Sequence, residues 1–344
     1  MGVTRKPAVD GEFPVSPFPL FIRGKAGECD AFIKAISVAV LDDPDKLPCR
    51  IGFELKSADA LKLSLINPLA RPLNGKMRIF GRKYRLAIPK LGEQNIGIAL
   101  PQPIRKGRLE KLFFPYECVI DGRSVKQNLE LNCFAVPKFT GDWKKIPAIR
   151  LTNKVGKKDF TAKDFSASYQ LAWDAKKMYL RVTVKDDVFS PGNTSGYRWN
   201  YDVVQVYFDT RCSAMKTGKK AFDDDDYDYG LMPTMDGKRC EVWRALSPDI
   251  QLTLGIGAPK NNTLASEIPA KFTRTDDGYV YEAEFPADYI LPIKLTAGYN
   301  FAFGIYAADK DNGKGVEKAL SNTIESGTGC HNKPHLWPIA VLTE

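Results

Sequence analysis

Histidine is almost absent from this chain: 344 residues contain two, His331 and His335. Little general acid–base or nucleophilic chemistry can be assembled from them. No Gly-rich phosphate loop, nucleophile elbow or Ser–His–Asp order is present that they could complete. The pair stands four residues apart, a spacing that would put both on one helix face around zinc, but Pro334 lies between them and the helical Glu is missing. No apolar run approaches the roughly 18 residues of a membrane helix. The opening MGVTRKPAVDGEFPVSP lacks the apolar core of a secretion signal. None of the seven cysteines (Cys29, Cys49, Cys118, Cys133, Cys212, Cys240, Cys330) belongs to a CxxC pair, which argues against a zinc ribbon. Their odd number leaves at least one free thiol. Cys212 and Cys240 flank an excursion between strands and are candidates for a disulfide; buried free thiols are the alternative. Long helical periods, internal repeats and low-complexity tracts other than the acidic run 223–226 are also lacking.

What is present is turn chemistry and alternation. Gly 27 and Pro 23 are spread along the chain, and the length suits two domains with their own cores. Residues 1–20 are Pro-rich and read as extended. Strand-like segments follow at 31–40, 51–55, 60–66, 76–80, 84–88, 96–99, 112–120 and 125–136. Asp121-Gly122 supplies the turn of a hairpin in CVIDGRSVKQNLEL. NPLARPLNGKMRIF reads as an edge-strand loop. The expectation for 1–137 is an immunoglobulin-like or fibronectin-like β-sandwich. The formal charge is +8 over 1–137 and +1 over 138–344. The basic residues (Arg82, Lys83, Arg85; Arg105, Lys106, Arg108) are scattered and carry no nucleic-acid motif, so solubility or an anionic polysaccharide explains them better than a nucleic acid does.

After Pro137 the alternation is cleaner. Met178, Leu180, Val182 and Val184 share one face, with Tyr179, Arg181 and Thr183 on the other. Val204, Val206 and Phe208 oppose Val203, Gln205 and Tyr207; Tyr279, Tyr281, Ala283 and Phe285 oppose Glu282 and Glu284; Phe301, Phe303, Ile305 and Ala307 oppose Tyr306. Such period-two patterns predict one face in a core and one toward solvent. The second faces carry tyrosine, glutamine and arginine, groups suited to holding a ligand. Glu282 and Glu284 resemble a glycosidase pair, but two carboxylates on one strand face more readily serve solubility.

The segments GDWKKIPAIRL, SASYQLAWDAKKMYLRVTVKDD, WNYDVVQVYFD, FDDDDYDYG, GYVYEAEFPADYI, YNFAFGIYAADKD and KPHLWPIAVL occur in the order found in carbohydrate-binding module family 9. Residues 138–344 therefore resemble that family, which implies a jelly-roll-type β-sandwich. The architecture expected for the whole chain is all-β, with two sandwiches. The resemblance implies a non-catalytic domain that holds a sugar between aromatic rings, with calcium fixing the loops. Trp199 stands at the family's stacking tryptophan, Asp202 at its aspartate, and Gln205 replaces its glutamate. An indole offers a sugar's C–H face the widest flat surface available; a glutamine still bonds hydroxyls but without charge. His331 falls near the second stacking tryptophan, with Trp337 a few residues on, and Trp243 is a replacement aromatic wall. The family's basic residue after the acidic run is missing, since GLM follows DYDY. The expected ligand set is Trp199, Asp202, Gln205, Trp243 and His331.

Acidic clusters at strand ends suit calcium, which takes six to eight oxygens from loops. Asp186, Asp187, Asp209, Asp225 and Asp226 are the candidate ligands, and a structural Ca2+ is the expected cofactor. A haem alternative follows from the related DOMON-like sandwiches, with Met178, Met215, Met232 or Met235 and a histidine as axial ligands. The partner expected is an oligo- or polysaccharide, not a nucleic acid. The setting expected is extracellular or periplasmic, with a leader removed, within a larger glycan-degrading protein. An interaction sandwich without sugar binding is the rival reading.

Overall fold

The structure, a computed structural model, describes residues 47–156, 159–192, 198–214, 220–248, 261–311 and 315–344. The Pro-rich start, the expected strand at 31–40, Cys29 and Met215 lie outside the described residues. Seven strands precede Lys138: β1 (Arg50–Ser57), β2 (Ala60–Ile66), β3 (Leu73–Ile79), β4 (Arg82–Ile88), β5 (Glu93–Ala99), β6 (Glu110–Ile120) and β7 (Arg123–Pro137). Thirteen follow: β8 (Ile149–Arg150), β9 (Asn153–Lys154), β10 (Phe165–Trp173), β11 (Lys177–Asp186), β12 (Val203–Asp209), β13 (Asp226–Pro233), β14 (Cys240–Leu246), β15 (Thr263–Leu264), β16 (Ala270–Thr275), β17 (Gly278–Pro286), β18 (Asn300–Asp309), β19 (Lys318–Ser321) and β20 (Ile339–Thr343). The protein is all-β, as the alternation predicts. No helix among the described residues is long and apolar enough to cross a membrane.

The β6–β7 hairpin forms where expected. Asp121 and Gly122 both take positive φ, +48° and +81°, the pair of angles that matches the twist of two strands joined by a two-residue loop. The stretch read as an edge-strand loop is different. Its second half is β3, which lies between β4 and β6 and is hydrogen-bonded on both sides. Leu73, Met77 and Ile79 alternate into the core, and that burial overrides the loop signal of its prolines and glycine.

Three sheets make up the described residues. A small one runs β1-β2-β5, and a five-stranded one runs β16-β17-β11-β10-β8. The long one runs β15-β14-β13-β12-β18-β20-β7-β6-β3-β4, with β19 paired to β18 and β9. All the long sheet's steps are antiparallel but one. β20 lies parallel to the end of β7, with Ile339 opposite Cys133 and Thr343 opposite Pro137, so main-chain pairing runs across the Pro137–Lys138 junction. Asp43–Glu344 form one compact unit.

The long sheet buries apolar side chains on both faces. Toward the five-stranded sheet it sends Val206, Phe208, Phe301, Phe303 and Ile305, against Tyr169, Leu180, Val182 and Phe285. Phe208 lies 5.3 Å from Phe285 and 5.4 Å from Phe303, ring centre to ring centre, tying the sandwich together. Each such buried ring contributes roughly 1.5–3 kcal/mol by removal from water. Toward the β1-β2-β5 sheet the long sheet sends Leu73, Met77, Cys118, Cys133, Ile339 and Val341, against Leu55, Leu61, Leu63 and Ile98. β7 serves both cores, Phe134 and Val136 entering one and Cys133 and Ala135 the other, which explains its unbroken apolar run.

The second face of β12 departs from the expected solvent-facing pattern. Tyr207 is fully buried under Phe222 and Trp337, and Val203 packs with Met232 and Ala308. Only Gln205 on that face keeps partial exposure, because loops fold over the sheet on either side of it. The suggested Cys212–Cys240 disulfide is absent. The two do not meet: Cys212 lies in the core that includes Tyr207, and Cys240 packs against the sandwich core.

Candidate functional site

Where the loops leave that face of the long sheet open, there is a cavity of about 800 Å³. Its floor is set by strand register. Gln205 on β12 sits opposite Tyr306 on β18 and Gly230 on β13, and one pair along the same face Tyr207 sits opposite Asp228. Gly230 contributes no side chain, so the floor stays low there. Trp199 rises at one rim from the short turn Arg198–Asn200 and is 46% exposed, a large apolar surface to leave in water. Phe222, Asn262, Asn332 and His331 close other sides. Mostly apolar walls with a few polar groups are the general character of a small-ligand site.

Three of the five expected ligand residues lie together at the cavity, and two are elsewhere. Trp199, Gln205 and His331 line the cavity. Asp202 does not. It is fully buried, and its two carboxylate oxygens accept the backbone N–H groups of Ser190 (2.5 Å) and Lys310 (3.0 Å). Burial holds its pKa up at about 8. It is a clamp between two loops that sets the approach to β12. Trp243 pairs with Gly230 across β13–β14 but is not among the residues lining the cavity; it packs with Val203, Met232 and Ala308 on the same face beside it. Trp337 is buried against Tyr207 on the same face of the sheet, beside the cavity, and is not among the residues lining it.

The sequence reading did not assign Asp228, Tyr306 or Phe222 to the site. Tyr306 was legible as the lone polar aromatic on the outer face of β18. Asp228 was hidden inside an acidic run. In the structure Asp228 is 1% exposed, with its Oδ2 3.4 Å from Nδ1 of His331. Burial pushes its pKa up, partly opposed by His331. The same contact raises the pKa of His331, whose side chain is 71% exposed. The ring of His331 meets Phe222 edge-on at 5.5 Å.

The candidate metal ligands fall into two groups plus an outlier. Asp187 is exposed and belongs to neither group. Asp186 clusters with Asp309 and Asp311. A cation is already built into that cluster: Lys318 Nζ lies 3.0 Å from Asp309, 2.6 Å from Asp311 and 2.7 Å from Asp164. The second group is Asp223, Asp224 and Asp225, adjoined by Asp209 and Asp226. Asp209 accepts the N–H groups of Ser213 (2.9 Å) and Ala214 (3.1 Å), which fold the loop around it. Oδ1 of Asp225 and Oδ1 of Asp226 are buried with no hydrogen-bond partner. Burial, reinforced by the neighbouring Asp209 charge, lifts Asp226 to about 8. Orphaned carboxylate oxygens in an all-oxygen loop fit a hard cation such as calcium.

Other readings find less. Met178 and Met232 are buried in cores, Met235 is exposed, and no methionine is among the described residues lining the cavity with His331. His335 sits on the short turn Pro334–Leu336, not on a helix shared with His331. Glu282 and Glu284 are taken up by Arg181 (3.8 Å) and Lys177 (2.6 Å) on the neighbouring strand.

A β-sandwich with an aromatic-rimmed cavity open on one sheet face has the form of a small-ligand-binding domain. Residues 138–344 match the family described as "Carbohydrate family 9 binding domain-like", and the chain belongs to that family. A carbohydrate-binding module family 9 from Caldicellulosiruptor kristjanssonii, solved in complex with cellotriose, is 14% identical, covers 61% of this chain and 93% of that one, and superposes with a TM-score of 0.46. A structure of a family 9 module from the same organism in complex with glucose gives 15%, 61%, 95% and 0.45. No curated protein matches the chain.

Proposed function

We propose that this protein is a non-catalytic carbohydrate-binding protein that holds a sugar in the cavity between Trp199 and His331. The observation that carries the reading is the exposed indole of Trp199 standing over a cavity whose floor offers Gln205 and Asp228, within a stretch that matches a carbohydrate-binding family. The indole takes the sugar's C–H face, worth about 1 kcal/mol. Gln205 both donates to and accepts from hydroxyls. Affinity from one such site is modest, so tethering within a larger glycan-degrading protein adds avidity. Glycans of this kind lie outside the cytoplasm, and the protein is exported to meet them. The first half, read as immunoglobulin-like, is a spacer. Asp209, Asp225 and Asp226 would hold a calcium ion, whose positive charge would offset their buried carboxylates close in sequence to Phe222 at the cavity.

The test is a titration of tryptophan fluorescence against a glycan panel, with and without a calcium chelator. A saturable response that Trp199→Ala weakens supports the reading. Silence from every sugar would overturn it and leave a sandwich that serves protein contacts.

A further inference from the structure

The cavity contains one feature that a neutral sugar does not satisfy. Asp228 is buried to 1% exposure, and its Oδ1 has no hydrogen-bond partner. Its Oδ2 has a single long contact, 3.4 Å to His331 Nδ1. A buried carboxylate is costly unless a cation or several donors meet it. No lysine or arginine is among the described residues that line the cavity. Among the described lining residues the one group able to become a cation is His331, which is largely exposed and charged only when protonated. Among the described residues nothing else offsets an ionised Asp228, whereas a ligand that carries a positive charge would do so.

We infer that the sugar bound here carries a free ammonium group, as in a 2-amino-2-deoxyhexose unit, and that Asp228 is the residue that selects it. The inference rests on the carbohydrate reading and narrows it. An ammonium would donate to Oδ1 in a charge-assisted bond, stronger than a hydroxyl can make. The walls favour the same group. Trp199, Tyr306 and Phe222 present aromatic rings around the space, and ring faces attract cations as well as sugar C–H faces. A metal ion is a poorer fit, because a hard cation needs six to eight oxygens, mostly charged ones, and the described residues lining the cavity offer one carboxylate, with rings and amides for the rest. An anionic sugar is disfavoured outright by the buried charge. An N-acetylated hexosamine lacks the ammonium and adds bulk.

The experiment is calorimetric titration of the full chain at about pH 7, where an amine of this kind largely keeps its proton. The probes are glucosamine, glucose and N-acetylglucosamine, each against the wild type and Asp228→Asn. The expected result is binding of glucosamine about tenfold tighter than glucose or N-acetylglucosamine in the wild type, a difference of about 1.4 kcal/mol, with the preference erased in Asp228→Asn. Equal or tighter binding of glucose overturns the inference and leaves the carbohydrate reading standing. A preference that survives in Asp228→Asn overturns the role given to Asp228. No heat from any of the three, and none from a wider glycan panel, overturns both. The wild-type comparison alone decides the amine preference if the variant does not fold.

Discussion

The indole N–H of Trp337 donates to the main-chain carbonyl of Cys330 at 3.0 Å, fixing the residue that immediately precedes His331. Trp337 reaches that carbonyl from beside the cavity, with its ring 5.3 Å from Tyr207. The space it needs comes from Gly304 on β18: a Cβ there would sit 2.9 Å from Trp337 Nε1. One side chain thus fills the core beside the site and positions the loop that carries its histidine. Replacing Trp337 with Ala empties a large buried volume and is expected to cost about 3–5 kcal/mol. Gly304→Ala tests the same contact from the other side. It should lower stability by about 1–3 kcal/mol by overpacking and also weaken sugar binding, because the displaced indole takes the 330–331 segment with it. Chemical denaturation and ligand titration of the Gly304→Ala protein measure both effects; unchanged affinity would separate Trp337 from the site.

The contact between His331 and Asp228 gives the site a pH dependence with a definite sign. Asp228 holds the pKa of His331 above its ordinary 6.5. The stabilisation from this pairing is fully present below the unfolded value and is lost as pH rises through the higher folded one. The raised pKa of Asp228, caused first by burial, acts in the same direction, since its ionisation disfavours the folded state as pH rises. The other groups facing Asp228 are Tyr207 on β12 and Cys330, both kept protonated by burial across this range. The melting temperature of the wild type should therefore exceed that of His331→Gln by more at about pH 5.5 than at about pH 8.5. A gap that stays constant across this range would show that the pair contributes nothing through charge.

Substitutions at Lys318 and at Asp225–Asp226 predict opposite changes in the response to calcium, the first creating one and the second removing it. Lys318 is 8% exposed and sits among Asp164, Asp309 and Asp311, whose charges hold its ammonium well above the ordinary lysine range. Removing a buried partner of this kind strands the carboxylates, so Lys318→Met is expected to cost about 3–5 kcal/mol. The same change leaves a pocket of acids that added calcium can partly neutralise, and stability should recover with calcium. At the second cluster the wild type itself responds. Calcium at a hundredfold excess over its Kd adds about 2.7 kcal/mol if it binds only the folded state. Asp225→Asn with Asp226→Asn removes that gain. Melting curves in calcium and in chelator distinguish the two clusters, and a wild type indifferent to both conditions would rule out a structural ion.

The all-β architecture and most strands of the sandwich were legible because each strand has one face in a single core, which leaves period two in the sequence. Met178 to Val184 shows this on β11. The middle of the long sheet was less legible for the opposite reason. β7, β12 and β20 are covered on both sides, so the outward residues Tyr207 and Cys133 are as buried as their inward neighbours. Alternation reports that a residue changes face, but not whether a second layer covers the face it turns to. The site follows the same division. Trp199 and Gln205 could be found by their order before and within β12. Asp202 could not be distinguished from a ligand, because clamping backbone N–H groups and bonding sugar hydroxyls ask for the same carboxylate. Asp228 was concealed because only the β12–β13 register takes it out of the acidic loop and places it beside Tyr207 under the cavity.

Trp199 and Trp243 offer the most direct contrast among the expected ligand residues, since Trp199 stands at the stacking position and Trp243 is the replacement second wall. Trp199 lines the cavity and is largely exposed, whereas Trp243 packs with Val203, Met232 and Ala308. Trp199→Ala removes a stacking surface worth about 1 kcal/mol, so affinity should fall about fivefold. Its effect on the melting temperature should be small, because an exposed side chain contributes little to the core. Trp243→Phe should reverse the pattern, lowering stability by about 1 kcal/mol through lost packing while leaving sugar affinity within twofold of the wild type. Titration and thermal melts of the two variants, run side by side, check the assignment. If Trp243→Phe abolishes binding and Trp199→Ala does not, the ligand lies over β13 and β14 rather than in the cavity beside Gln205.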